Sequence, residues 1–155
     1  MVARKMSSEQ REKFLAQPHL GVLCIAAETG RAPMATPIWY DYRPGGDVKL
    51  FTSPRSRKAR LIAEAGRFSL CVQEAEGLRY VSVEGPVVET VPITEDEHNE
   101  IVRRYVEPAR VAAFLEATYE THAGNVVVSM RPERWNAVDF SDIAAQIAED
   151  VPTRT

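Results

Sequence analysis

A short stretch of the sequence, residues 53–60, concentrates groups that bind anions. It contains four cations and two hydroxyl groups: Arg55, Arg57, Lys58, Arg60, Ser53 and Ser56. Guanidinium and ammonium groups form charge-assisted hydrogen bonds with phosphate oxygens. The whole chain is acidic, with a net charge of −3 and a pI near 5.7, so this cluster runs against the overall balance. The stretch therefore predicts a site for a phosphorylated ligand.

The hydrophobic pattern around the cluster places it between a strand and a helix. Residues 48–52 form an apolar strand pattern, and Leu61, Ile62 and Ala65 then recur at helical spacing before Gly66, a typical helix stop. The first turn of a helix offers unpaired N–H groups and the positive end of the helix dipole, which both favour anions. The alternative interpretation is a solvated basic face on a surface helix.

Composition limits the class of protein and its partners. A chain of 155 residues with 45% hydrophobic content suits one globular domain with a sizeable core. The acidic balance argues against nucleic acid as a partner, because such proteins carry a basic footprint. The polar residues 1–13 lack the apolar core of a signal peptide, and the longest apolar run, residues 22–27, is too short to span a bilayer. We therefore expect a cytoplasmic protein without a membrane partner.

The cysteines and histidines predict no disulfide, no catalytic cysteine and no metal site. Cys24 and Cys71 both fall inside strand patterns, which favours two buried thiols over a disulfide or a catalytic nucleophile. His19, His98 and His122 are scattered without the spacing of metal ligands.

The remaining periodicity predicts a mainly β protein. Strand patterns cover residues 19–27, 33–42, 48–52, 68–74, 79–90, 125–130 and 134–139. Helical patterns cover residues 7–16, the segment after the basic cluster, and residues 92–120, which Pro108 divides into two helices. Tight turns join the first three strands as a meander, and Pro37 predicts that the second strand lies at an edge, is bulged or faces a ligand. We expect an antiparallel barrel with peripheral helices.

Three segments follow from this pattern. Residues 1–17 are expected to form a loose tail and a helix, residues 18–140 the barrel domain that holds the ligand, and residues 141–155 a polar C-terminal tail.

Five segments, in this order, carry a family resemblance: GRAPMATPIWYDY, LFTSPRSRKARLI, RFSLCVQ, LRYVSVEGPVV and PERWNAV. They resemble the pyridoxamine 5′-phosphate oxidase-like superfamily, the FMN-binding split β-barrel, over roughly residues 18–139. The most specific element is F-T-x-x-x-S-R-K-A, followed by a short helix and R-x-S-L. Within the superfamily, the chain is most similar to small flavin- and deazaflavin-dependent oxidoreductases, many of which use coenzyme F420 in place of FMN.

The resemblance implies a cofactor site and a homodimer whose subunits share the cofactor groove. It assigns the strand from Ala35 to Tyr40 to the isoalloxazine ring. Phe51 and Thr52 match the pair beside the ribityl chain and phosphate, and Arg57 and Lys58 match the phosphate-binding pair. Tyr80 matches a polar residue that contacts the ring, and Trp135 an aromatic residue that commonly comes from the neighbouring subunit. The full candidate set is Ala35, Thr36, Pro37, Ile38, Trp39, Tyr40, Phe51, Thr52, Arg55, Ser56, Arg57, Lys58, Tyr80 and Trp135.

The implied activity is hydride transfer between FMN, or alternatively F420, and a small organic substrate. The cofactor supplies the redox chemistry, so no catalytic acid or base is predicted. Genuine pyridoxamine phosphate oxidases carry a lysine where this chain has Tyr40, and a C-terminal R-x-H-x-x-R element that this chain lacks, so pyridoxamine phosphate is not expected as the substrate. Two alternatives remain open, a non-catalytic flavin- or haem-binding protein and a structural dimer that has lost its ligand.

Overall fold

The computed structural model of the protein describes residues 3–150, which form one curled antiparallel sheet of nine strands flanked by helices. The strands are β1 (Arg4–Lys5), β2 (Gly21–Ile25), β3 (Met34–Ile38), β4 (Tyr40–Asp41), β5 (Val48–Thr52), β6 (Arg67–Gln73), β7 (Arg79–Pro92), β8 (Val126–Met130) and β9 (Arg134–Asp139). The helices are α1 (Ser8–Leu15), α2 (Arg57–Ala65), α3 (Glu95–Tyr105), α4 (Val111–His122) and α5 (Ser141–Asp150), and a short 3-10 turn (Pro108–Arg110) joins α3 to α4.

The sheet is split into two halves that share β7. The strand order is β3-β2-β6-β7-β8-β5-β4, and β9 pairs with β7 and with β1. The first part of β7 pairs with β6 and β9, and its later part pairs with β8 after a register shift between Val87 and Glu89. At the crossing point, Gly85 lies against the loop that joins β8 to β9. A side chain at position 85 would collide with the carbonyl of Arg131. The predicted fold, an antiparallel split barrel, is confirmed.

Capping residues explain the ends of three helices. Ser7 and Gln10 form a reciprocal capping box at α1, and Thr94 and Glu97 form another at α3. Gly66 ends α2 with a φ of 66°, a left-handed conformation that glycine adopts without steric cost.

The predicted meander is confirmed, whereas the predicted tails were wrong. The second predicted strand, residues 33–42, is divided into β3, which pairs with β2, and β4, which pairs with β5. β2 also pairs with β6, and β5 also pairs with β8 in the other half of the sheet. β3 is an edge strand, which is one of the three alternatives that Pro37 predicted. The expected N-terminal tail includes β1, which pairs with β9, and the expected C-terminal tail forms α5 through residue 150. Residues 151–155 of that tail lie outside the described residues.

The core fills the inner face of the curled sheet. Alternate residues of β2, β6 and β7, such as Leu23, Leu70 and Val81, are fully buried there. The residues between them point outward and define the outer sheet face, which consists of Val22, Cys24, Ala35, Pro37, Ser69, Cys71 and Ser82.

The two cysteines belong to this outer sheet face. They are free thiols and only half-buried, so the prediction that both are buried was wrong. The strand alternation explains the difference, because Cys24 and Cys71 occupy outward positions beside inward-facing leucines. The partial burial raises the pKa of the Cys71 thiol.

Candidate functional site

The basic cluster lies at the start of α2, where the sequence predicted it. Ser56 is the N-cap residue, and its hydroxyl accepts a hydrogen bond of 3.2 Å from the N–H of Ala59. The buried hydroxyl of Thr52 lies 3.0 Å from the hydroxyl of Ser56 and holds the cap against the end of β5. Among the described residues, nothing accepts from the N–H groups of Arg57 and Lys58. This helix start therefore presents free donors of the kind that bind anions.

Beside the start of α2 lies a cavity of about 230 Å³ that we call the Lys58 cavity. Its lining is mostly apolar and comes from both halves of the sheet and from three helices: Pro37, Ile38, Trp39, Phe51, Lys58, Ile93, Ile101, Val102, His122 and Asn125. Lys58 is half-buried and makes no ion pair with any described carboxylate. The cavity thus combines apolar walls with a single unneutralised cation, an arrangement typical of a site for a ligand with an anionic end.

Helices α3 and α4 cover one side of this cavity through an aromatic stack. The ring of Trp39 stacks on Tyr105 with 5.0 Å between ring centroids and 8° between ring planes, and it meets Phe114 at 5.8 Å. The hydroxyl of Tyr105 lies 2.9 Å from the carbonyl of His19 and 3.0 Å from that of Tyr40. Burial raises the pKa of Tyr105, so this hydroxyl stays a proton donor. These contacts fix Trp39 as a rigid wall of the cavity.

Two of the four predicted cations are already neutralised by an acidic residue that sequence reasoning missed. Glu28 lies in the turn between β2 and β3 and accepts hydrogen bonds from Arg57 at 2.8 Å and from Arg60 at 2.9 Å. These two hydrogen bonds, Arg57 first, lower the pKa of Glu28 to about 2. Arg55 remains exposed and makes no ion pair with a described residue. The cations thus differ in availability, with Lys58 facing the cavity and Arg57 held by a carboxylate.

The six candidates from Ala35 to Tyr40 divide between two faces of the chain. Ala35 and Pro37 lie on the outer sheet face, and Thr36 and Ile38 point to the inner side of β3. Tyr40 is fully buried in the core, where its hydroxyl donates to the carbonyl of Leu15 at 2.7 Å. The structure therefore brings Pro37, Ile38 and Trp39 to the Lys58 cavity and places Tyr40 elsewhere.

The last two candidates lie away from the cavity within this chain. Tyr80 is on the outward side of β7, where its ring lies 6.5 Å from that of Phe140. Trp135 packs edge-on against Tyr42 at 6.1 Å, and the guanidinium of Arg11 lies 4.6 Å from the centre of its ring.

Two polar residues of the cavity, His122 and Asn125, were not predicted. His122 ends α4, and its Nδ1 atom lies 2.8 Å from the carbonyl of Thr118. Its ring stacks on that of His98 with 4.0 Å between centroids, and neither ring nitrogen of the buried His98 has a hydrogen-bond partner among the described residues. Burial, followed by the charge of His122, lowers the pKa of His98. Only the antiparallel packing of α3 on α4 brings these histidines together, so no sequence spacing could have revealed them.

Within residues 3–150, no cluster of three or more histidine, cysteine, aspartate or glutamate side chains has the arrangement needed to hold a metal ion. In the same range, no helix is both long and apolar enough to cross a membrane.

Comparison with solved structures supports the fold described above. An F420 reductase superposes with a TM-score of 0.65 and 22% identity, covering 81% of this chain and 94% of the other. A conserved hypothetical protein from Mycobacterium tuberculosis superposes with a TM-score of 0.69 and 21% identity, covering 97% and 91%. A FAD-binding protein from Mesorhizobium loti superposes with a TM-score of 0.59 and 20% identity, covering 90% and 97%. No curated protein matches the sequence.

The sequence itself gives the family. The family model for pyridoxamine 5′-phosphate oxidase matches residues 7–139, which include strands β2 to β9, the start of α2 and every residue that lines the Lys58 cavity. The chain therefore belongs to the pyridoxamine 5′-phosphate oxidase family.

Proposed function

We propose that the protein is an oxidoreductase that binds FMN or coenzyme F420 and transfers hydride to or from a small organic substrate. The observation that carries this proposal is the half-buried residue Lys58, which lines an apolar cavity beside the unpaired N–H groups of α2. A phosphate group fits this set of donors, because it accepts from both an ammonium and a helix start. The apolar walls suit the rest of a flavin-type cofactor.

The residues of the site would have separate roles toward such a cofactor. Lys58 would bind the phosphate, while Phe51 and Trp39 would pack against the apolar part and exclude water. When bound, the flavin or deazaflavin supplies the hydride chemistry, so the chain needs to bind and orient it rather than to provide a nucleophile. Because Tyr40 replaces the lysine of the genuine oxidases and is buried, we do not propose pyridoxamine phosphate as the substrate.

We further propose that the protein acts as a homodimer. Ligand pockets commonly enclose about 300–1,000 Å³, whereas the Lys58 cavity encloses about 230 Å³. One chain therefore surrounds only part of a cofactor, and Pro37 carries the cavity wall onto the outer sheet face. That face is rich in small and apolar residues, and Val22 in it is 38% exposed. A second copy packed there would cover the apolar residues and complete the groove.

Titration with FMN and F420 tests the proposal directly. One of the two is expected to bind the wild-type protein, and Lys58→Ala should weaken binding roughly ten- to a hundredfold, since a charge-assisted contact contributes ~1.5–3 kcal/mol. Arg57→Ala should have a smaller effect because Arg57 is engaged by Glu28. Lys13→Ala, a change at an exposed lysine of α1, is the matched control and should bind like the wild type. Equal affinity of the wild type and Lys58→Ala would contradict the proposed site.

A non-catalytic binding protein of the same fold is the second candidate, and the same preparation separates the two. For an enzyme, bound cofactor that has been reduced is reoxidised when a suitable acceptor is added. Cofactor that binds but never cycles with any acceptor would favour the binding protein.

A further inference from the structure

The ion pairs of Glu28 involve both of its carboxylate oxygens. Oε2 accepts from Arg57 and Oε1 accepts from Arg60, so a single carboxylate bridges two arginines on successive turns at the start of α2. Glu28 belongs to a different part of the chain, the turn that leads into β3. The edge strand that lines the Lys58 cavity and the helix that carries the cations are thereby joined through one acidic side chain.

The simplest interpretation of these contacts is a pair of surface salt bridges. All three side chains are partly exposed, with 37% of Glu28, 39% of Arg57 and 51% of Arg60 accessible, and such pairs contribute little to stability. Their position gives them another consequence. A carboxylate oxygen and a phosphate oxygen accept from guanidinium groups in the same way, so Glu28 occupies donors that an incoming phosphate would use.

We propose that Glu28 is a built-in counter-anion that competes with the phosphate of the ligand for Arg57 and Arg60 and so sets the affinity of the site. This inference rests on the proposed function, because it concerns the phosphate end of the same cofactor. Lys58 and the free N–H groups of α2 make the first contact with the phosphate, and Arg57 joins them only when Glu28 releases it. Removal of the negative charge at position 28 therefore strengthens the binding of phosphorylated ligands.

The substitution Glu28→Gln tests this inference, because it removes the charge and keeps the shape of the side chain. The probes are inorganic phosphate and whichever of FMN and F420 the wild-type protein binds, measured by calorimetry. Both should bind the variant roughly three- to tenfold more tightly, the range expected when two exposed ion pairs no longer compete. Riboflavin, or the deazaflavin without its phosphate, should bind the two proteins equally because it lacks the competing group.

Glu64→Gln is the matched control. Glu64 pairs with Arg60 at 3.1 Å from within α2 but does not touch Arg57. The same change of charge there should alter phosphate affinity less than Glu28→Gln does, because Glu64 competes for Arg60 alone, and thermal unfolding checks that both variants fold.

The possible outcomes separate this inference from the proposed function. If the wild type binds the cofactor through its phosphate and Glu28→Gln binds it equally or more weakly, Glu28 orients the arginines rather than competing with the ligand, and the inference alone fails. If neither protein binds phosphate or cofactor, the inference and the proposed function fail together. Tighter binding that riboflavin shares would also overturn the competition, because the effect would not involve the phosphate.

Discussion

Substitution of Tyr40 tests whether this residue belongs to the core or contacts the cofactor. Its hydroxyl lies 2.7 Å from the carbonyl of Leu15 and 3.0 Å from that of Gln17. Gln17 keeps other donors, since Arg104 also donates to its carbonyl, at 2.8 Å. Among the described residues, Tyr40→Phe therefore leaves the carbonyl of Leu15 without a hydrogen-bond donor, whereas the carbonyl of Gln17 keeps one. A buried acceptor left without a partner costs about 1–3 kcal/mol of the free energy of unfolding.

Urea unfolding measures this loss, and a melting curve should show it as a lower Tm, by ~2–4 °C for each kcal/mol in a chain of this size. Tyr119→Phe is the control, because Tyr119 is 72% exposed, and its free energy of unfolding should stay within about 0.5 kcal/mol of the wild type. Affinity for FMN or F420, measured well below the Tm, should not change in Tyr40→Phe. A variant of unchanged stability that loses cofactor affinity would refute this reasoning and return Tyr40 to the cofactor site.

Two further predictions concern the assembly and its pH dependence. Val22→Asp should convert the dimer to monomers, because it places a carboxylate against the second copy. Val88→Asp, a change at a valine of β7 that is 45% exposed, is the control and should stay dimeric in sedimentation velocity. A monomeric wild-type protein would contradict the homodimer. The lowered pKa of His98 means that the folded protein binds fewer protons than the unfolded chain just below pH 6.5, so the free energy of unfolding should fall as the pH drops through that value. His98→Phe, which keeps an aromatic ring against His122, should reduce this dependence in unfolding curves between pH 8 and 5, and an unchanged slope would exclude His98 as its source.

Local sequence signals predicted the elements of the fold well. Periodicity predicted β7, which spans Arg79–Pro92 against an expected range of 79–90, and Gly66 marked the end of α2. These signals depend on residues within one or two turns of each other. The pairing of strands does not, so periodicity could not show that the second predicted strand is divided between the two halves of the sheet. The helix α5 was not predicted, although Ile143 and Ile147 recur at helical spacing within this polar segment.

The candidate site, too, was predicted only where its residues are close to one another in the sequence. The motif around Lys58 predicted the start of α2, because strand, cap and helix follow one another in the chain. Glu28 could not be predicted in this way, because it lies 29 residues before Arg57, to which it binds. His122 was likewise missed, because helix packing brings it to the cavity.

The long strand β7 has a consequence for how the molecule responds to stress. Its early residues complete the ladder with β6 and β9, and its later residues complete the ladder with β8. If one half of the barrel separated from the other, the hydrogen bonds between β7 and that half would break. We therefore expect the two halves to unfold as one cooperative unit, so that a ligand bound at the edge strand β3 would also protect distant amides of β8 from exchange with solvent.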